Sequence, residues 1–308
     1  MLHAPDAPIP NSGRRPVEPH AAARRWPRRW CAVVVAVCAG VVAIAGQSLT
    51  LPNRPNSLKF AVIGDNGTGE APQYEVGRQM AAVQRQFRFD QVIMLGDNLY
   101  GSQKPQDFVK KFEEPYRPLL EGGVRFYASL GNHDSPAQLT YPPFNMGGQR
   151  YYTYARANVR FFALDSNALD PKQRTWLENA LKESRDEWKI CYFHHPLYSD
   201  GGRHGSEVEL RVVLEPLFVK YGVNVVFSGH DHVYERLKPQ KGIDYFVSGA
   251  GGQLRKGNLK PSALTAAAFD QDQSFMLVEV DATELAFQTI SRTGTTVDSG
   301  VIQRGPRP

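Results

Sequence analysis

The chain has 308 residues, with 36 Lys and Arg against 31 Asp and Glu, a formal net charge of +5. Hydrophobic residues make up 42% and charged residues 22%, the values of an ordinary globular protein. They exclude a disordered, collagen-like or polytopic membrane chain, and the length suits one large domain or two small ones.

The leading residues carry most of the excess charge. Residues 1–30 hold Arg14, Arg15, Arg24, Arg25, Arg28 and Arg29 against only Asp6 and Glu18. An uncharged run from Cys31 to Gly46 follows, with Ala43-Ile44-Ala45 as a small-x-small cleavage site. Arginines, a short apolar stretch and small residues, in that order, read as an export signal over residues 1–45. The alternative is an uncleaved N-terminal anchor, the one route by which this chain would touch a membrane. The 16 residues of the run, at ~1.5 Å rise each, reach ~24 Å against a hydrocarbon core of ~30 Å. Cutting after Ala45 removes six basic and two acidic residues, so the net charge falls from +5 to +1. The case for nucleic-acid binding goes with it, and a periplasmic or secreted location is expected. Cys31 and Cys38 leave with the leader, and Cys191 alone cannot form an internal disulfide. Residues 46–56 read as a short linker, 57–303 as one catalytic domain and 304–308 as a tail.

Along the domain, Leu58–Gly64 is a short apolar run ending in a turn, hence a buried strand. Ala71–Phe87 has helical spacing, with Val76, Met80 and Val83 on one side. Gln91–Gly96 predicts a strand, Pro105–Leu120 one or two short helices broken by Pro115 and Pro118, and Val124–Leu130 a strand. Gln149–Tyr154 and Val159–Leu164 read as a strand pair, and Pro171–Ser184 as a helix with Pro at its start. Lys189–Phe193 predicts a strand, Glu207–Tyr221 a helix and Val223–Phe227 a strand. From Ile243 only strands follow: Ile243–Val247, Ser274–Val280, Glu284–Ile290 and Thr296–Ile302. Strands alternating with helices, then a strand-rich end, argue an α/β fold with mixed sheets.

Several of these strands run straight into a loop bearing Asp, Asn or His, where open α/β sheets bind ligands. The residues are Asp65, Asp97, Asn132 with His133 and Asp134, His194 with His195, and His230-Asp231-His232. Gly stands immediately before four of the five groups, which allows sharp turning and close approach. In an extended segment alternate residues share a face, so His230 and His232 would point the same way. Two carboxylates, an amide and several imidazoles without a thiolate form a donor set for Fe, Mn or Zn. A carboxylate that bridges two ions ~3.5–4 Å apart is the arrangement that hydrolyses phosphoesters.

Gly64-Asp65, Gly96-Asp97-Asn98-Leu99-Tyr100, Gly131-Asn132-His133-Asp134, His194-His195-Pro196 and Gly229-His230-Asp231-His232 stand in one order. That order resembles the calcineurin-like metallophosphoesterases. Most of that superfamily opens with Asp-x-His, whereas this chain reads Asp65-Asn66-Gly67. Tyr100, three residues after Asp97, is instead placed as in purple acid phosphatases, where a tyrosinate binds ferric iron. The segments look most like the small tartrate-resistant members of that group.

The resemblance implies a four-layer α/β/β/α sandwich of two mixed sheets flanked by helices. It also implies two metal ions, Fe(III) with a divalent Fe, Zn or Mn, and a metal-bound hydroxide attacking a phosphomonoester in line. Asp65, Tyr100, His232 and one oxygen of Asp97 would take the ferric ion. The other oxygen of Asp97, with Asn132, His194 and His230, would take the divalent ion. His194 is preferred to His195 because it stands two before Pro196, as in the family's His-x-Pro. His133 and His204 match histidines that contact the phosphate or assist the leaving group. A phosphodiesterase or nucleotide hydrolase with the same metal core is the first rival, and a non-catalytic surface protein the second. Six of the eight histidines lie beyond the leader, and all six fall in segments assigned to the site.

Overall fold

The computed structural model describes residues 49–305. The expected export segment at residues 1–45 lies outside the described residues. The stretch read as a linker is tied down where it is described. Leu51 is buried, the Thr50 N–H donates to Gln288 Oε1 (2.9 Å), and the Asn53 N–H donates to Glu279 Oε2 (2.6 Å).

Apolar runs whose successive side chains point to opposite faces build three apolar layers, and these layers define the architecture. In β1 (Leu58–Ile63), Phe60 and Val62 face one core while Ala61 and Ile63 face another. In β2 (Gln91–Met94) the same split separates Ile93 from Val92 and Met94. β1, β2 and β3 (Arg125–Ala128) run parallel. On the far side of β1, β11 (Ser274–Val280) pairs antiparallel, followed by β12 (Glu284–Ser291) and β13 (Thr296–Gln303), giving the order β13-β12-β11-β1-β2-β3. The second sheet has the order β10-β8-β9-β7-β6-β5-β4. Its strands are β4 (Tyr152–Arg156), β5 (Val159–Ala163), β6 (Trp188–Tyr192), β7 (Val225–Ser228), β8 (Tyr234–Leu237), β9 (Asp244–Ser248) and β10 (Thr265–Phe269). The central β5-β6-β7-β9 block is parallel and the flanking pairs are antiparallel.

The middle core lies between the sheets, where Phe60 meets Phe161 edge-on at 5.3 Å between ring centroids. Each such buried aromatic contributes on the order of 2 kcal/mol. The outer core of the first sheet is closed by α1 (Ala71–Phe87), α2 (Pro105–Phe108, continuing as a wider turn over Val109–Glu113) and α3 (Arg117–Glu121). That of the second sheet is closed by α4 (Pro171–Glu183) and α5 (Val208–Lys220). This is the expected four-layer sandwich. Local signals explain the helix ends: Arg88 stops α1 in a left-handed conformation, and the Asp170 side chain caps α4 by accepting from the Gln173 N–H (2.7 Å). No helix among the described residues is long and apolar enough to cross a membrane.

Two strands lie where the sequence analysis assigns none. β8 reads Tyr-Glu-Arg-Leu and follows the His-x-His segment directly. β10 reads Thr-Ala-Ala-Ala-Phe, whose alanines favour helix. Its extended form comes from pairing with β8, through a register shift between Thr265 and Ala267. The parallel strands β1, β2, β3, β6 and β7 all end at one rim of the sandwich, and the five polar segments meet there.

Candidate metal centre

Two triangles of donor atoms form at the rim, with Asp97 beside them. In the first, the Tyr100 hydroxyl lies 3.1 Å from Asp65 Oδ1 and 3.0 Å from His232 Nε2, which itself lies 3.4 Å from Asp65 Oδ1. In the second, His194 Nε2 lies 2.9 Å from Asn132 Oδ1, 3.1 Å from His230 Nδ1 and 3.5 Å from Asp97 Oδ1. Donor atoms of Asp65, Asp97 and His194 all lie within 4.8 Å of one another, so the triangles share a floor. Asp65, Asp97 and His194 are buried, and His230 and His232 nearly so.

The backbone reaches this geometry in an unexpected way. Asp65, Asp97 and His230 themselves adopt left-handed conformations, with φ of 54°, 50° and 69°. Non-glycine residues seldom do so, and such strain persists only where surroundings over-determine it. Here the Asp65 N–H bonds the Gly96 carbonyl (3.0 Å), and the His230 N–H bonds Asp65 Oδ2 (2.9 Å), locking one sheet's end to the other's. Gly64, Gly131 and Gly229 therefore serve clearance rather than turning. A Cβ on Gly131 would stand 2.2 Å from Asp97 Oδ1, and one on Gly229 would stand 2.4 Å from Asp65 Oδ2. The His230–His232 segment also departs from expectation. It is a turn rather than an extended run, with Val233 N–H bonded to the Asp231 carbonyl (2.7 Å). The two rings consequently enter different triangles.

Gly67, where most of the superfamily carries His, has a structural reason. Its Cβ position is 1.8 Å from the Asn98 carbonyl oxygen, so no side chain fits on this backbone. The Tyr100 N–H bonds the Gly67 carbonyl (2.9 Å), and that contact swings the Tyr100 ring onto Asp65.

The electrostatics fit cations. His194 Nδ1 donates to the Leu95 carbonyl (2.9 Å), which leaves the Nε2 lone pair facing Asn132 Oδ1 and Asp97 Oδ1. Burial, then His195, holds His194 well below its ordinary pKa. Burial, then His194, lowers His230 to about 2, and burial, then Arg255, lowers His232 to about 4. All three are neutral, the form that binds metal. Burial, then the Asp97 charge, drives Asp65 far above the usual carboxylate range. Burial, then Asp65, likewise raises the Tyr100 phenol. Converging acceptors and two buried carboxylates, with no Lys or Arg paired to either among the described residues, make a charge deficit that two cations would fill.

His133 and His204 stand at the mouth, both exposed. His133 has Nε2 4.0 Å from Asp97 Oδ2 and its ring 4.9 Å from that of Tyr100, while the His204 ring lies 4.0 Å from that of His230. His133 thus stands beside the Tyr100 triangle and His204 beside the His230 one. His195 turns its Nδ1 to Ser166 Oγ (2.8 Å).

Three residues that the motifs leave without a role hold these loops. Asp134 accepts from the backbone N–H groups of Gly131 (2.8 Å), Asn98 (3.1 Å) and Leu99 (3.1 Å), so it ties the Asn132 loop to the Asp97 loop. Asp231, buried between the two ligand-candidate histidines, accepts from Ser199 Oγ (2.6 Å) and the Gly205 N–H (3.1 Å) and pins the His204 loop. Arg255 bonds the His232 carbonyl through its N–H (2.9 Å). The first two sit inside the recognised motifs, and their position was the signal available. Nothing local marks Arg255.

Two mixed sheets in a four-layer sandwich, with carboxylates, an amide and imidazoles gathered at their parallel strand ends, define a metallophosphoesterase. Residues 58–234, more than half of the chain, match the model of the calcineurin-like phosphoesterase family. The chain belongs to that family, whose members bind a dimetal centre and act on phosphoesters. It is 26% identical over 316 residues to tartrate-resistant acid phosphatase type 5 of Homo sapiens, covering 85% of this chain and 97% of that one. The purple acid phosphatase of yellow lupin (Lupinus luteus) seeds shares the fold with a TM-score of 0.67 at 19% identity, covering 82% of this chain and 55% of that one. So does GAP50, the anchor in the inner membrane complex of Plasmodium, with a TM-score of 0.69 at 18% identity and coverage of 82% and 90%. Likeness at those identities speaks for the fold, and the chemistry rests on the donor atoms at the rim.

Proposed function

We propose that the protein is an exported acid phosphatase that hydrolyses phosphomonoesters at a pair of metal ions, Fe(III) and a divalent Fe, Zn or Mn. The observation that carries this reading is the first triangle, in which the Tyr100 hydroxyl stands on both Asp65 and His232. A phenol in that position is a ligand suited to ferric iron once a cation offsets the burial that keeps it protonated. Asp65, Tyr100, His232 and Asp97 would hold the ferric ion, and Asp97, Asn132, His194 and His230 the divalent ion. When bound, the two ions supply charge neutralisation for a phosphate and acidify water.

The protein's own groups then divide the work. Asp97, joined to the His133 N–H (2.9 Å), ties the floor to the mouth. The exposed imidazoles of His133 and His204 reach a phosphate, orient it, and deliver a proton to the departing alkoxide oxygen. The Nδ1 bond to the Leu95 carbonyl fixes the tautomer of His194 and aims Nε2 inward.

A panel of mono- and diesters, together with metal analysis and a visible spectrum, tests the reading. A phosphatase is expected to prefer monoesters and to show a tyrosinate–iron absorption band that disappears in Tyr100→Phe. A preference for diesters by about tenfold in kcat/KM would overturn the monoesterase assignment. A colourless protein, fully active with Zn or Mn and indifferent to Tyr100→Phe, would overturn the iron assignment.

A further inference from the structure

The flank of the cleft beside His230 and His232 is built by two loops, one after β6 and one between β9 and β10. They are knitted together. Gly201 bridges Leu259, the Gly202 N–H bonds the Asn258 carbonyl (2.8 Å), and the Lys260 N–H bonds the Asp200 carbonyl (3.0 Å). The first loop brings Arg203 next to His204, and the second brings Arg255, Lys256 and Lys260. The Lys260 side chain lies against Gly202.

Among the described residues, none of these four cations is neutralised by a salt bridge or donates a side-chain hydrogen bond. Arg255 is half-buried, and its Nη1 is buried without a partner. Burial, then the charge of Arg203, pushes the Arg255 guanidinium down, with Asp231 opposing. Asp231 is already engaged by Ser199 and Gly205 through Oδ2. The charges of Arg255 and Arg203 both act on His204 and on His232, so the guanidiniums stand beside the mouth. A half-buried guanidinium with an unpartnered Nη1, no ion pair and a second guanidinium acting on it is costly unless an anion joins them, and guanidinium forks match phosphate oxygens.

The flank beside Asn132 and His195 has the other sign. There a cavity of about 790 Å³ is lined by Asn132, His195, Glu207 and Glu209, and its one arginine, Arg150, is paired with Asp165 (2.5 Å). A substrate tail bearing negative charge is repelled from that side and drawn to the other.

We propose that Arg203 and Arg255, supported by Lys256 and Lys260, form a subsite for a second phosphate on the same substrate, so that the preferred substrates are bisphosphorylated compounds. The inference rests on the phosphatase reading and narrows its substrate class. In the reaction, a water oxygen bonds to the phosphorus held at the donor cluster. The ester P–O bond breaks, and the proton given up by water ends on the departing alkoxide, whose far phosphate stays on the arginines.

The test uses matched probes on the metal-loaded full protein. Calorimetry compares propane-1,3-diyl bisphosphonate with propylphosphonate, neither of which is hydrolysed. Steady-state kinetics compare propane-1,3-diyl bisphosphate with 3-hydroxypropyl phosphate. The two-anion probe is expected to bind about tenfold or more tightly in the wild type, and that ratio to shrink to about threefold or less in Arg203→Gln/Arg255→Gln. Arg203→Gln alone, at an exposed position, is expected to fall between them and guards against misfolding of the double variant. Equal affinity of the two phosphonates in the wild type, or a ratio unchanged in the variants, would overturn the subsite. Bisphosphonate preference without hydrolysis of either ester would uphold the subsite and overturn the phosphatase reading. Equal hydrolysis of both esters with equal phosphonate affinity would do the reverse.

Discussion

The floor and the rim of the cleft are built on opposite terms. On the floor, Asp65, Asp97 and His194 are buried, two of the three sit in left-handed backbone, and glycines clear the space around them. At the rim, His133, His204 and Arg203 are exposed on loops held by a few backbone N–H bonds donated to Asp97, Asp231 and Glu235. A floor specified several times over places donor atoms to within tenths of an ångström and tolerates little change. A rim held by few ties can vary in what it recognises while the chemistry stays fixed.

That contrast can be broken most sharply on the floor. Asp97→Asn removes the carboxylate that lies beside both triangles, and kcat is expected to fall about a thousandfold or more with loss of bound metal, beyond the ~10–100-fold typical of outer partners. Assay and metal analysis of the purified variant check this, and full metal content with a small loss would contradict it. Gly67→His restores the residue common in the superfamily. Because the Cβ position is 1.8 Å from the Asn98 carbonyl oxygen, it is expected to destabilise the fold by about 3 kcal/mol rather than add a ligand. Denaturant unfolding measures it, and unchanged stability would show that the two loops can separate.

The rim should respond more gently. His204→Ala is expected to lower kcat about a hundredfold with metal content and stability unchanged, the range of a lost general acid. A loss confined to KM would make His204 a binding group only. The smallest effect concerns the rim's anchor. Glu235 accepts from the Asp200 N–H (2.8 Å) and shares Thr265 Oγ1 with Asp200, and burial raises its pKa to about 7. A carboxyl whose folded pKa lies above its unfolded value stabilises most below the unfolded value near 4.5, and loses that contribution as pH rises through about 7. Stability is therefore expected to decline from pH 5 to pH 8 by about 2 kcal/mol, a slope that Glu235→Gln flattens. Thermal unfolding at the two pH values checks it, and a slope of opposite sign would contradict it.

Legibility in the sequence followed the same division. α1 was readable to the residue because Val76, Met80 and Val83 repeat at helical spacing, and the floor was readable because each strand terminates in a short polar signature. β10 was not, since its alanines extend only when β8 lies alongside. Arg255 was not, since its site is made by a loop that returns to His232 from more than twenty positions away in sequence.

By itself the sequence determined most of the strands and helices, the order of the strand-end motifs and the chemistry of the donors, because periodicity and residue type are local properties. Only the tertiary structure decided that the His230–His232 segment is a turn, that Gly67 leaves room for the Asn98–Leu99 backbone rather than for a side chain, and that one flank is basic and the other acidic. Those are relations between loops from different strands, fixed by how the two sheets pack, and no single segment contains them.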